Sequence, residues 1–409
     1  MILRARTVVT MTGPPIDNGA VVVKAGRIRA VGRVSDIVAH YMGVFTDLGE
    51  QVLMPGLINA HCHLDYTMLR RAIHPPSSFT AWVQRINALK RTFDDDDYLA
   101  AIAHGFSQLR KWGTTTVLNI ESLPELMRKL PTPPIRSWWF YEMIDVRSRI
   151  FTDDLLAGAN IFFHQHADWL GGFGLSPHAP YTASPELYRL VAECARHTRM
   201  PLATHIAESF EEDEMFRHAR GPLYEFMASL GRDMSDCGHG SSLKLLLENN
   251  ILGPDWLAVH LNELDEDDFE LLAQHPLNIV HCPRSHRYFS HRKFAFQRLC
   301  EMGMNISLGT DSLASNDSLS LFAEMQAVRN HEPWISAEEI VKTVTINPAR
   351  ALNNYEIGQI APNARPDLIC VPVAASAEQV YDAIVENEKP IEWVMIDGEK
   401  LAPLETAAA

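Results

Sequence analysis

Short apolar runs recur through the middle of the chain, with helix-period segments between them. Eight runs are read as strands: residues 57–63, 115–120, 138–143, 173–178, 202–207, 257–261, 277–282 and 306–310. The segment 185–198 shows the intervening pattern. Its Leu187, Leu190, Val191 and Cys194 fall on one face of a 3.6-residue period. Ser184-Pro185-Glu186 and Ser336-Ala337-Glu338 each fit an N-cap followed by a first-turn acid. Eight alternations of strand and helix predict an α/β fold, a (β/α)8 TIM barrel over residues 55–354. A doubly wound open sheet would offer a glycine-rich phosphate turn after an early strand, and no such turn is present.

Both ends of the chain are patterned differently. Thr7–Met11 and Ala20–Val23 are β-branched runs separated by Gly13-Pro14-Pro15, and 28–31 follows the turn Lys24-Ala25-Gly26-Arg27. Residues 367–371 and 393–396 read as strands too, with Asp397-Gly398 as a hairpin turn. This predicts a small β-sandwich domain built from residues 1–54 plus 355–409, flanking the barrel. Residues 79–86 read as an amphipathic helix in a lid-like insertion. The run Asp94–Asp97 reads as acids at a helix N-terminus rather than as a calcium site.

Composition removes several function classes. The 409 residues are 46% hydrophobic and 21% charged, an ordinary globular balance that excludes a mainly disordered chain. The formal net charge of −15 repels phosphate backbones, so no nucleic-acid partner is expected. No apolar run is long enough to span a bilayer, and Met1–Thr7 lacks a signal-peptide pattern. The six cysteines form no C-x-x-C pair and read as free thiols. A cytoplasmic protein with no membrane partner is therefore expected, its partner a small molecule. A homo-oligomer stays open.

Chemistry concentrates at the strand ends. His61 and His63 sit two apart at the end of an apolar run, so their imidazoles share one side of a strand. Two such imidazoles are half of a zinc or iron site. An isolated pair of this kind is more often two surface histidines. Here, however, His178, His205, His260, His281 and Asp311 also fall where later strands end, and barrel active sites are built at that face.

The set resembles the amidohydrolase superfamily, in its branch of cytosine, guanine and adenosine-type deaminases and triazine hydrolases. The matching pieces are PGLINAHCH, SPHAPYT, THIAES, AVHLNE, HCPRSH and SLGTDSLASN, running from Pro55 to Asn316. The resemblance implies one divalent ion, zinc first and iron second, on His61, His63, His205 and Asp311. Strand four carries no lysine, the residue that bridges two metals in other branches. By resemblance, Glu208 protonates a ring nitrogen and His260 polarises the attacking water. Asp311 takes that water's proton, and His178 contacts the substrate. His281 is left between a supporting and a structural role.

HCPRSH departs from the many relatives that end this piece with Asn, since His286 stands there. Arg284, His286 and Arg287 are read as substrate-binding groups at the mouth, suited to a carboxylate tail, with Arg70 and Arg71 on a bordering loop. No acid for ribose hydroxyls can be placed in the 79–86 region. The pattern looks most like aminodeoxyfutalosine deaminases, whose substrate is an adenine nucleoside with a carboxyphenyl tail. The implied activity is an aminohydrolase acting on carbon–nitrogen bonds of cyclic amidines and releasing ammonia from a 6-aminopurine nucleoside. Methylthioadenosine or S-adenosylhomocysteine ranks next as substrate. A triazine-type chlorohydrolase, a guanine- or cytosine-type base deaminase and a non-catalytic scaffold remain as alternatives.

Overall fold

Strands buried on both faces need apolar side chains pointing both ways, and the central runs have them. A computed structural model describes residues 1–146, 158, 166 and 168–402. In it the central runs form Leu57–His63, Thr114–Glu121, Arg136–Met143, Gly171–Pro177, Leu202–Ile206, Trp256–His260, Asn278–His281 and Asn305–Leu308. A ninth short strand, Asp311–Ser312, pairs with the first, Asp311 opposite Cys62 and Ser312 opposite His63. All pairings are parallel, giving a curled nine-strand sheet. The run expected at 306–310 is thus divided in two. Gly309 sits at the break, where an added Cβ would meet the Cβ of His61 at 2.8 Å. Only glycine lets the backbone cross so close to the first strand.

The helices start where their caps predict. Ser184 accepts a hydrogen bond from the Leu187 N–H at the head of Pro185–Thr198. Asp94 and Asp97 form a reciprocal capping box on Asp95–Lys111, so the acidic run is a helix start as expected. Phe79–Lys90 is a helix capped by Ser78. No helix among the described residues is long and apolar enough to cross a membrane.

The two chain ends share a separate mixed sheet of eight strands. Val52–Pro55 pairs antiparallel with Leu368–Val371, and Trp393–Ile396 extends that side. Leu53, Leu368, Cys370 and Met395 pack in its core with Val21 and Ile28. Residues 403–409, included in the expected end-built domain, lie outside the described residues. One polar clasp joins the two sheets. Arg136, opening the third parallel strand, donates Nε to Asp367 Oδ2 at 2.7 Å and Nη2 to Oδ1 at 3.2 Å, and both side chains are buried. Removing one partner of such a pair would strand a charge, at about 3–5 kcal/mol.

Candidate active site

The C-terminal ends of the parallel strands turn their polar side chains into one depression. Ala207, His260, Leu261 and Asp311 have φ of 49°, 81°, 50° and 55°, a left-handed bend that non-glycine residues seldom adopt. Such strain is held in place by the surrounding packing and clusters at functional sites. The rings of His61 and His63 lie 4.8 Å apart, and those of His61 and His205 5.0 Å. His63 Nε2 faces His205 Nε2 at 3.3 Å, and His61 Nε2 lies 3.7 Å from Asp311 Oδ1. The donor atoms of His61, His63 and Asp311 lie within 4.8 Å of one another, as do those of His61, His205 and His260.

This donor set fits a divalent cation. His61 Nε2 is buried without a hydrogen-bond partner. His205 gives its Nδ1 proton to the His178 carbonyl at 2.9 Å, which leaves the Nε2 lone pair aimed inward. Burial and the neighbouring imidazoles hold His63 well below its ordinary pKa, and burial brings His205 down to about 3. Both are therefore neutral ligands at pH 7. Burial opposes a charge on Asp311, but His61 beside it, with His260 and His63, holds it well below the carboxylate range. Asp311 Oδ2 is fixed by Ser285 Oγ at 2.6 Å and Ser315 Oγ at 3.1 Å.

Glu208 stands beside this cluster, its Oε1 3.5 Å from His260 Nε2. Its backbone is clamped independently of its carboxyl. The N–H is accepted by Glu212 Oε2 at 2.8 Å, and the carbonyl accepts from Asn262 Nδ2 at 3.0 Å. Burial, reinforced by Asp311 and Glu212, holds Glu208 well above its ordinary pKa. Burial and the neighbouring acids thus favour its protonated form. A cavity of about 780 Å³ opens over the cluster and is lined by His63, His178, His205, Glu208, His260 and Asp311. Phe79, Trp82, Tyr181 and Met227 give it apolar walls, and Lys90, Arg91 and Glu142 add charge.

Residues 52–401 match the amidohydrolase family. The chain belongs to that family. A 5-methylthioadenosine/S-adenosylhomocysteine deaminase of Syntrophobacter fumaroxidans is 29% identical over 376 residues, 88% of this chain and 81% of that protein. The solved aminofutalosine deaminase of Helicobacter pylori, in complex with methylthio-coformycin, has the same fold. Its TM-score is 0.83 at 22% identity, covering 98% of this chain and 100% of that one. A zinc-bound adenosine deaminase from Xanthomonas campestris gives a TM-score of 0.81 at 22% identity, covering 98% and 92%.

In this amidohydrolase the structure gathers His63, His178, His205, Glu208, His260 and Asp311 at one cavity, with His61 in the same donor cluster. Three expected substrate contacts, Arg284, His286 and Arg287, do not line this cavity. Arg284 and Arg287 line a different cavity, because the turn into helix Pro283–Phe289 carries them away from the strand ends. His286, on the same helix, gives its Nδ1 proton to Asn262 Oδ1 at 2.9 Å and lines neither cavity. Asn262 in turn donates to the Glu208 carbonyl, so His286 is linked to Glu208 through one side chain. His281 stacks on Phe294 at 3.9 Å and is part of the packing.

Three residues that no motif marked do reach the site. Tyr66 stacks on His63 at 5.3 Å, and Lys90 Nζ donates to Tyr66 Oη at 2.5 Å. Glu142, at the end of the third strand, has a buried Oε1 without a hydrogen bond, 4.0 Å from His178 Nε2. His178 is oriented by giving its Nδ1 proton to Thr182 Oγ1 at 2.6 Å. A lone acid closing an apolar strand is the signal that would have found Glu142.

Proposed function

We propose that this amidohydrolase is a metal-dependent deaminase that releases ammonia from a 6-aminopurine nucleoside with an acidic tail. Aminodeoxyfutalosine is the leading substrate, with methylthioadenosine or S-adenosylhomocysteine next. The observation that carries the reading is a buried Glu208 set 3.5 Å from His260, beside the clustered donor atoms of His61, His63, His205, His260 and Asp311. His61, His63, His205 and Asp311 would hold one divalent ion, zinc first. Support comes from the zinc-bound relative and from a fourth strand, Gly171–Pro177, without lysine. Bound there, such an ion acidifies and positions a water for attack on the ring carbon.

The chain's own groups supply the rest. Glu208 delivers its proton to the ring nitrogen next to the attacked carbon, which makes that carbon electron-poor. His260 orients the water, Asp311 receives one of its protons and passes it to the departing amine, and the remaining hydroxyl proton returns to Glu208 as the carbonyl forms. His178 and Glu142 face each other across the cavity wall, where Glu142 accepts from ribose hydroxyls. Lys90 and Arg91 line the same space and take over the tail contact first ascribed to Arg284 and Arg287. The apolar walls admit an aromatic tail and exclude water from it.

The same reading treats the curled sheet as a (β/α)8 barrel domain of residues 55–354. The end-built sheet is then a small sandwich domain of residues 1–54 plus 355–409. A cytoplasmic location agrees with six free cysteines, five of them buried. The deciding experiment is a panel of aminopurine nucleosides, free bases and chlorotriazines on protein of measured metal content. Ammonia from nucleosides is expected. Chloride from triazines, with no ammonia from any nucleoside, would overturn the reading.

A further inference from the structure

This acidic chain gathers cations at one place outside the metal cavity. A second cavity of about 490 Å³ is lined by Arg71, His74, Arg284 and Arg287, with Asp317 the one carboxylate among its lining residues. Asp317 is shared, 3.0 Å from Arg71 Nε and 4.0 Å from Arg284 Nη2. Arg284 Nη1 is buried with no hydrogen-bond partner. Arg287 is exposed, and none of the contacts among the described residues occupies its guanidinium. The nearby buried Glu324 is already engaged, accepting the Arg284 N–H at 2.9 Å and Asn316 Nδ2 at 2.8 Å. Three guanidiniums thus face one carboxylate in a concave wall, on a protein whose net charge is −15.

The two cavities are partitioned. Ile73 and Ala314 line the second, Ile86 and Trp82 line the first, and all four pack in one apolar cluster with Leu69. A ligand in the second cavity is therefore not the tail of a molecule reacting at the His/Asp cluster. We propose that the second cavity is a binding site for a small molecule bearing a phosphate or carboxylate group, distinct from the substrate. Guanidinium forks match both anions, and a pair of them can grip one anion from two sides. Ser315 lines this cavity, Ser285 follows Arg284, and both hydroxyls hold Asp311 Oδ2. An occupant would thus sit one side chain away from the metal-site carboxylate. This inference does not depend on the deaminase reading.

Calorimetric titration of the metal-loaded protein with inorganic phosphate, and separately with succinate, tests it. Saturable binding is expected, and the tighter probe tells a phosphoester source from a carboxylate source. Arg287→Ala and Arg71→Ala, both at exposed positions, should weaken it about tenfold or more, the size of one charge-assisted hydrogen bond. Arg284→Ala should do so if it folds. His61→Ala, which disables the metal cluster, should leave the binding unchanged. The proposal is overturned if neither anion binds saturably, or if binding survives the arginine replacements. It is equally overturned if binding disappears in His61→Ala, because the anion then occupies the metal cavity.

Discussion

Replacing Glu208 with Gln isolates the proton from everything else this residue does. Its N–H and carbonyl are held by Glu212 and Asn262, not by its own carboxyl. Burial favours the neutral carboxyl in the folded protein, holding its pKa well above the usual range. An isosteric neutral amide therefore changes neither the clamp nor the local charge, and folding stability should move by no more than about 1 kcal/mol. The metal-binding groups are untouched, so metal content should stay at wild-type level. What is lost is the transferable proton at Oε1, 3.5 Å from His260. A positioned general acid contributes ~10²–10⁴ in rate, or ~2.7–5.5 kcal/mol of barrier. The assay is steady-state ammonia release on the best nucleoside, with elemental analysis and thermal unfolding of the same preparation. A folded, metal-loaded Glu208→Gln with near-normal kcat would refute the assignment of Glu208 as the acid.

Three further outcomes follow from the geometry. Wild-type protein should carry about one divalent ion per chain, lost in His61→Ala and His205→Ala; two ions per chain by elemental analysis would contradict the single-metal reading. Lys90→Ala or Arg91→Ala should raise KM for carboxylate-bearing nucleosides over plain adenosine by ~1.5–3 kcal/mol, the range for hydrogen bonds to charged groups. Arg284→Ala and Arg287→Ala should leave that ratio alone, and the reverse pattern would return the tail contact to the arginines. His286→Ala removes the donor that orients Asn262 under the Glu208 carbonyl. It should lower kcat about tenfold with little change in KM, and His286→Gln should recover part of the loss; a pure KM effect would make His286 a substrate contact after all.

The sequence made the histidine and aspartate cluster legible because strand geometry is periodic. His61, His63, His205, His260 and Asp311 end apolar runs, and the ends of parallel strands share one face whatever the loops between them do. Beyond the strand ends this logic stops. Arg284 and Arg287 follow the seventh run by a few residues, but helix Pro283–Phe289 decides where they point, and its axis is set by packing. Lys90 closes an amphipathic helix where a lysine ordinarily meets solvent, and only the tertiary fold turns it over Tyr66. Glu142 follows a run of aromatic residues, Trp138 to Tyr141, and only its place as the lone acid near that strand's end set it apart. The break at Gly309 was equally invisible, since it answers to a backbone approach from residue 61.

The end-built sheet has a consequence for the order in which the chain takes shape. Thr7 gives its hydroxyl proton to the carbonyl of Ala375, a residue 368 positions later, and Val52–Pro55 waits for Leu368–Val371. The first strands pair with one another early, but at a synthesis rate of ~5–20 residues per second the outer edge of Val52–Pro55 waits roughly 15–65 s for its partner. Throughout that interval Val52, Leu53 and Met54, all fully buried in the finished protein, form an apolar edge able to pair with other chains. The parallel sheet can assemble strand by strand as it emerges, but its seam with the end sheet cannot, because Arg136 must wait for Asp367. Residues 368–371 thus close an edge made more than three hundred residues earlier, and a ribosome that stalls before residue 368 releases a chain with that edge still open.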